Sequence, residues 1–493
     1  MVWQENVQVI AMMTNLFESG KLKCDKYWPD LGHEVTYGAI SVLTASNQIF
    51  ADYTFRILNV SSKGKTRKIH QLHFTSWPDH RVPLYTQSVA SYLKKLLAVY
   101  PGSGPIVVHC SAGVGRTGTI ILTDICLRMA AAEGCVDVLS FQQHIREQRA
   151  NMVDNLEQYK LVHLVLLECL VLEPSSYPYD ANFEKLVQEL STSGAIESQF
   201  KRLLKRNWQD LALREFSQDQ VSQTATFKNR NLNIVPSSHG QVHISSYPAN
   251  IKHSNYINAV YVDGFRAKDQ FVVTQFPLQS TVGDFWRLIH EKNISLIVVL
   301  NEIDDEEDKS VFMFWPQELG KSLKPVPYIT LTKKTEDDST QWKTHSLSVN
   351  TTQSAVSVNN FLINPNPTAQ EYRGPTESTT VRVLHLKGWK AQDQLPPSPD
   401  VIIELWQEAE RLYKGKQPMV VCCLNGATAS GFFVALAFLI EKIKLEQQCD
   451  VCQAVRTVRQ NREQFVPTCE QFQCLYNAAV SYLDSFQTYA NFN

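Results

Sequence analysis

The sequence predicts an α/β protein in which one sheet-and-helix unit is written twice. Three observations carry this. Short apolar runs of strand length, "VQVIAMM", "GPIVVHC", "SLIVVL" and "MVVCCL", alternate with amphipathic stretches such as "VASYLKKLLAVY" and "TIILTDICLRMAAAEG", which is the alternation of α/β chains. The 493 residues are too many for one core, since single cores stop growing near roughly 250–300 residues. Four anchors also recur in order at nearly constant spacing. "NVQVIAM" with "KYWP" matches "NISLIVV" with "MFWP", which sets Trp28 against Trp315, 287 positions on. "HFTSWPD" matches "HLKGWKA", setting Trp77 against Trp389, 312 positions on. Cys110 then meets Cys423, and Tyr159 meets Phe472, both 313 positions on.

Taken in chain order, the first copy opens on the strand "VQVIAMM" and reaches a turn at "TSWPDHRVP". The helix "VASYLKKLLAVY" follows, then the strand "GPIVVHC" and a glycine-bearing loop. A second helix ends in an alanine-rich run before Gly134, a residue suited to a helix C-cap. "LVHLVLLECLVL" from Leu161 reads as a buried helix, as does "FFVALAFLI" from Phe432 in the second copy. The prolines of 173–182 stop the preceding helix and mark a linker. The domains expected are therefore 1–172, a linker at 173–182, and 183–486. The growth in offset from 287 to 312 places about 25 extra residues in the second copy. They belong in "SVNTTQSAVSVNNFLINPNPTAQEYRGPTEST", whose composition is that of an exposed excursion. About 105 residues precede the first anchor of the second copy, whereas the first copy starts almost at its own. The expectation is that the first copy lacks its N-terminal third.

Apolar content of 44% and charged content of 19% are those of an ordinary globular chain. A formal net charge of -2 argues against a dedicated nucleic-acid binder, which would carry a basic surplus. No stretch reaches the roughly 18–20 apolar residues that span a bilayer, and "MVWQENVQVI" lacks the layout of a signal peptide. A cytoplasmic location is expected for the chain as written. Eleven cysteines, an odd number spread through apolar segments, fit a reducing compartment. Cys449 and Cys452 form a lone CxxC that reads as two thiols on one helix, since a zinc site would need further ligands.

The chemistry lies in "HCSAGVGRTG". Strand, cysteine, five residues, arginine and helix form a phosphate-binding order. The small residues Ser111, Ala112, Gly113, Val114 and Gly115 let the backbone curl with its N–H groups aimed at one centre. The helix from about Thr117 adds the positive end of its dipole. A cysteine placed there has its thiolate favoured, which makes Cys110 a nucleophile. Arg116 can grip two oxygens of a phosphoryl group with its fork. Asp79, on the turn after Trp77 and Pro78, supplies an acid for the leaving oxygen.

With an upstream "WPD", this string resembles the protein tyrosine phosphatase family. Two copies in tandem resemble the cytoplasmic region of a receptor-type tyrosine phosphatase of the insect neural or gamma/zeta-like group. The resemblance spans nearly the whole chain and implies two domains, each a twisted mixed sheet flanked by helices. It implies that Cys110 forms a phosphocysteine, that Arg116 and the loop amides bind phosphate, and that Asp79 acts as general acid and then general base. Thr117 would assist departure of the cysteine and His109 would tune the thiol. "FESGKLKCDKYWP" resembles the family's glutamate loop, in which Glu18 orients Arg116 and Lys23 reaches towards the aspartate loop. Phosphotyrosine-containing proteins are the implied partners, with no metal and no cofactor. A contact of the second domain with the first, within one molecule or between two, is also expected. A full-length form is expected at the plasma membrane, anchored by a segment outside this chain and with these domains on the cytosolic side. "VDNLEQY" departs from the pattern: Asp154 stands where a glutamine positions water, while Gln158, the second glutamine, is kept. A carboxylate near a phosphoryl dianion repels it, so slower breakdown of the phosphoenzyme is expected.

The second copy has lost most of this chemistry. Cys423 remains, but Ala429 takes the arginine position, and Lys390 and Ala391 stand where the acid loop has proline and aspartate. Asn231 replaces the ring expected to stack on phosphotyrosine, and Pro467 stands at the water-positioning glutamine. The second copy therefore reads as a degenerate phosphatase fold used for binding or regulation. The rival expectation is a scaffold in which neither copy turns over.

Overall fold

The computed structural model describes residues 1–78, 81–83, 85–99, 102–171, 174–205, 225–237, 240–247, 252–303, 309–352 and 377–490, with side chains to 483. The chain divides into two compact units. One is built on Met1–Pro174, the other on Ser175–Lys205 and Asp269–Asn493 with the segment before it.

The first unit has strands β1 (Val9–Met12), β2 (Phe17–Glu18), β3 (Lys21–Leu22), β4 (Glu34–Tyr37), β5 (Ile40–Ile49), β6 (Tyr53–Ser62), β7 (Lys65–Phe74) and β8 (Ile106–His109). Its helices are α1 (Thr86–Ala98), α2 (Gly115–Glu133), α3 (Val138–Gln148) and α4 (Leu156–Leu170). Six strands form one sheet in the order β4-β5-β6-β7-β1-β8. β4 to β7 run antiparallel as a meander, and β1 lies parallel to both β7 and β8. All four residues of β1 are buried, as a parallel strand covered on both faces requires. Ile10, Met12, Trp28, Leu58 and Ile69 pack together beneath the segment that follows β1. Gly134 closes α2 in the left-handed conformation, φ +72°.

The second unit has strands β9 (Tyr177–Pro178), β10 (Gln241–His243), β11 (Tyr256–Val262), β12 (Phe271–Gln275), β13 (Leu296–Val299), β14 (Ser322–Val326), β15 (Ile329–Asp338), β16 (Trp342–Thr351), β17 (Glu377–Leu386), β18 (Met419–Cys423) and β19 (Gln448–Cys449). Its helices are α5 (Phe183–Thr192), α6 (Ala195–Lys205), α7 (Val282–Glu291), α8 (Pro399–Leu412), α9 (Thr428–Glu446), α10 (Val451–Arg459) and α11 (Cys469–Ala490). Its sheet runs β14-β15-β16-β17-β13-β18-β12-β11-β10. The first six strands of that order repeat the first unit strand for strand, with the same parallel and antiparallel pairings. The sequence repeat is thus a repeat of topology.

The two sheets differ beyond their sixth strand. β18 is flanked by β13 and β12 and is buried at all five residues. Among the described residues β8 pairs on the β1 side alone, and its four residues are half-buried. Phe432–Ile440 are buried at every position of α9, as a helix apolar all round must be. Tyr177 and Pro178 form β9 against β19, and the Tyr179 hydroxyl donates to the Ala479 carbonyl at 2.8 Å. Cys449 lies in β19 and Cys452 in α10. The Ser/Thr/Asn/Pro-rich excursion begins and ends in the paired strands β16 and β17, and its residues 353–376 lie outside the described residues.

Candidate active site

The β1–β8 pair delivers the chain to Cys110, and α2 takes it away from Gly115. Between them Gly113 sits at φ +72°, a conformation that costs glycine little, and its N–H points at Cys110 Sγ from 3.3 Å. The N-cap residue of α2, Val114, makes no side-chain cap bond, so the first amides and dipole of the helix face the loop. Thr117, in that first turn, donates its hydroxyl to Sγ at 3.1 Å. Burial alone would raise the Cys110 thiol. The Thr117 hydroxyl and the amides of Thr117, Gly113 and Val114 outweigh it and hold the thiol below its ordinary value. Ser111 and Ala112 are exposed at the mouth, Val114 is half-buried and Gly115 is buried.

Arg116 comes from the same turn and meets Glu18 across 98 residues of chain. Nη1 donates to Oε1 at 2.6 Å and Nη2 to Oε2 at 2.8 Å, the two-pronged geometry of a guanidinium on a carboxylate. The pair is largely enclosed, with side-chain exposures of 13% and 5%. Nη1 also donates to the Met13 carbonyl and Nη2 to the Pro78 carbonyl. Burial pushes the Glu18 carboxyl up, but Arg116, the Asn15 amide and the Thr14 hydroxyl together hold it below the usual range. Lys23 follows the β2–β3 hairpin, with its backbone N–H on the Leu16 carbonyl at 2.8 Å. Asp79 lies outside the described residues. The turn on either side of it is described: Trp77 is buried, and its indole N–H donates to the Arg81 carbonyl at 2.9 Å.

His109 stands beside the cysteine but does not aim at its sulfur. Nδ1 meets the Cys110 carbonyl at 3.3 Å, and Nε2 meets the Tyr27 hydroxyl at 2.8 Å. Burial lowers this imidazole and favours its neutral form, against the Cys110 contact. Gln158, in the first turn of α4, lies under the loop: a side chain on Gly115 would start 2.8 Å from its Nε2. Its Oε1 accepts the Asp154 N–H at 2.9 Å, and the Asp154 side chain is exposed nearby.

The second loop folds on a different plan. Cys423 is buried, and its Sγ meets Asn425 Oδ1 at 3.5 Å. The same oxygen accepts the N–H groups of Ala427 at 2.9 Å and Thr428 at 3.0 Å. A side-chain oxygen thus occupies the Ala427 amide, whose first-unit counterpart at Val114 is one of those that hold the Cys110 thiol down. Ala429 and Ser430 stand at the positions of Arg116 and Thr117, both buried, and among the described residues the Ser430 hydroxyl has no partner. The loop of Lys390 and Ala391 is tied down. Asn301 accepts the Leu424 N–H and donates to the Trp389 and Lys390 carbonyls, while Gln471 donates to the Gln394 carbonyl at 2.5 Å. Asn231 precedes a short turn, its Oδ1 accepting the Asn233 N–H.

Among the described residues no group of three or more His, Cys, Asp or Glu side chains is placed to hold a metal ion. Sequence reasoning missed Tyr27, Asn425 and the pair Arg149 and Arg462. Arg149 donates to the Ala112 carbonyl at 3.2 Å and Arg462 to the Gly426 carbonyl at 2.6 Å. The signal for that pair was present, since the two arginines share the offset of 313.

The protein-tyrosine phosphatase family profile matches residues 1–168 and 225–481. Receptor-type tyrosine-protein phosphatase epsilon of Homo sapiens is 34% identical over 505 residues, spanning 100% of this chain and 68% of that protein. Receptor-type tyrosine-protein phosphatase alpha of Mus musculus is 32% identical over 508 residues, spanning 100% of this chain and 57% of that protein. Receptor-type tyrosine-protein phosphatase U of Gallus gallus is 30% identical over 499 residues, spanning 99% and 33%.

Proposed function

The chain belongs to the protein-tyrosine phosphatase family of phosphatase enzymes, and on that premise we propose that its first unit hydrolyses phosphotyrosine on proteins through a phosphocysteine at Cys110. The observation that carries this is the Cys110 sulfur held by the Thr117 hydroxyl and loop amides, one turn from an Arg116 fixed by Glu18. The Cys110 thiolate attacks phosphorus while the bond to the tyrosine oxygen breaks, and Asp79 gives that oxygen its proton. Arg116 and the loop amides take up the charge on the phosphoryl oxygens. Glu18 fixes the plane of the guanidinium, so that little reorganisation is needed at the moment of transfer. Water then attacks the phosphocysteine with Asp79 as base and Gln158 beside the loop, and the Thr117 hydroxyl receives the departing thiolate.

The second unit does not turn over in this reading and serves binding or regulation. The arginine and the acid are each worth on the order of a hundredfold or more, and Ala429 and Ala391 stand in their places. Asn425 Oδ1 also satisfies amides that an incoming phosphate would need. The domains are assigned as 1–172 and 183–486. Among the described residues no helix is long and apolar enough to cross a membrane, and the receptor-type relatives favour action at the cytosolic face of a membrane.

The test is turnover of a phosphotyrosyl peptide by the chain, by Cys110→Ser and by Cys423→Ser. Activity abolished by Cys110→Ser alone supports the assignment. Activity lost with Cys423→Ser instead would reverse it, and silence in every form would favour a non-catalytic scaffold.

A further inference from the structure

A cavity of about 380 Å³ opens on the first unit beside the segment that carries Glu18, with Asn15, Lys26, Trp28, Asn47, Arg56 and His73 among its lining. Asn47 stands opposite Arg56 on β5 and β6, and Arg56 opposite Gln71 on β6 and β7, so the three form one row across the sheet. The Arg56 guanidinium lies over the Trp28 ring at 4.7 Å, and its Nη1 donates to Gln71 Oε1 at 3.0 Å. Among the described residues no carboxylate pairs with it. Lys26, at the mouth, is already paired with Asp30. Burial and the nearby Arg56 push His73 down to about 4, so it is neutral near pH 7. Asp30 also lines the wall, but its carboxylate is taken up by Lys26, so Arg56 is left as a half-buried positive charge that no carboxylate pairs among the described residues. Such a charge is costly to leave unpaired. A single planar fork matches a carboxylate, whereas a phosphate dianion would call for a second available cation.

Arg56 is also the head of a line of donors. Its N–H goes to Gln71 Oε1, Gln71 Nε2 donates to the Tyr27 oxygen at 2.9 Å, and the Tyr27 hydroxyl lies 2.8 Å from His109 Nε2 and 3.7 Å from Met12 Sδ. The Cys110 carbonyl, 3.3 Å from His109 Nδ1, can only accept, so the neutral imidazole carries its proton on Nδ1 and leaves Nε2 to accept from Tyr27. Every link points the same way, from the cavity to the cysteine, and Gln71 in the middle is fully buried. The second unit lacks the whole line. The repeat offsets put Phe314 at Tyr27 and Cys422 at His109. The strand register puts His345 at Arg56 and Val383 at Gln71. All four members are gone from the copy whose loop has also lost its arginine.

We propose that this cavity is an effector site for a small carboxylate seated on Arg56, and that its occupancy is read at Cys110 through Gln71, Tyr27 and His109. The reading rests on Cys110 being the reactive thiol, as proposed above. A carboxylate on Arg56 neutralises the charge that polarises the line, so each donor after it weakens. The Cys110 thiolate is then less favoured and reacts more slowly. No bond is made or broken; Gln71 and Tyr27 are positioning residues.

Succinate is the probe, with chloride at matched ionic strength as control, on the full chain. Occupancy is read from the Nε–Hε resonance of Arg56 in arginine-labelled protein. Its effect is read from the pH profile of Cys110 alkylation by iodoacetamide, followed by peptide mass spectrometry. Succinate should shift the Arg56 resonance saturably and slow alkylation about twofold on the acid side of the profile. Arg56→Gln should start at the slower rate and ignore succinate. Tyr27→Phe should keep the Arg56 response while the Cys110 profile stays still. An Arg56 resonance that fails to saturate, or responds equally to chloride, overturns the site. A saturating Arg56 with an unmoved wild-type Cys110 profile overturns the coupling. Neither readout needs turnover, so failure to hydrolyse phosphotyrosyl peptide would count against the catalytic reading alone.

Discussion

Thr117→Val removes one donor from Cys110 and little else, because valine keeps the β-branched shape that a helix position already accommodates. In the folded chain the hydroxyl lies 3.1 Å from Sγ. A hydrogen bond to a charged acceptor contributes about 1.5–3 kcal/mol. The amides of Gly113, Val114 and Thr117 share the same sulfur and remain, so the low end applies. A differential loss of about 1.5 kcal/mol between thiolate and thiol is roughly tenfold in thiolate population. Cys110 alkylation by iodoacetamide should therefore fall about tenfold on the acid side of its pH profile and be unchanged on the alkaline plateau. Thr123→Val is the control. That hydroxyl is buried in the same helix and donates to the Thr119 carbonyl, away from the sulfur. If the Thr117→Val profile overlays the wild type, or if Thr123→Val moves it equally, the hydroxyl is not what holds the thiol down.

Two further outcomes follow from the same geometry. Glu18→Gln keeps one acceptor for Arg116 but removes the charge, and kcat/KM on a phosphotyrosyl peptide should drop about thirtyfold, or ~2 kcal/mol; a value within twofold of wild type would show that Glu18 does not orient the clamp. Because the Glu18 carboxyl is held below its ordinary value, its pairing stabilises the fold above the unfolded value of the group and is lost as pH falls through the folded one. Glu18→Gln should accordingly lose less stability on acidification than wild type in a thermal-melt series. Asp154→Gln removes a negative charge beside the loop, and rapid-quench burst kinetics should show phosphoenzyme breakdown rising about fivefold; a wild-type breakdown that is already fast contradicts the repulsion argument.

How much of this was legible beforehand depended on the distance along the chain over which each contact closes. The cysteine loop was readable because all its parts lie within eight residues. Strand, curl and helix start are local events, and Gly113, Arg116 and Thr117 have set places in them. The two units were readable because a repeat needs no three-dimensional information. Gly134 and the buried helix at Phe432 were readable from conformational preference and composition alone. The Asn425 oxygen that fills the second loop is equally local, since it bonds residues two and three positions on, as asparagine side chains do in turns.

By itself, then, the sequence determined which groups share the short loop of each copy: a cysteine and a helix start in both, with a guanidinium at Arg116 in the first and Ala429 in its place in the second. Only the tertiary structure decided what holds those groups in place. Glu18 meets Arg116 across 98 residues and Tyr27 meets His109 across 82, because β1 is inserted between β7 and β8 and brings its following segment over the loop. Arg56, Gln71, Tyr27 and His109 come from three strands and a loop, and no spacing along the chain relates them. Sheet order and register set which of these groups are neighbours, and packing then selects the rotamers through which they bond.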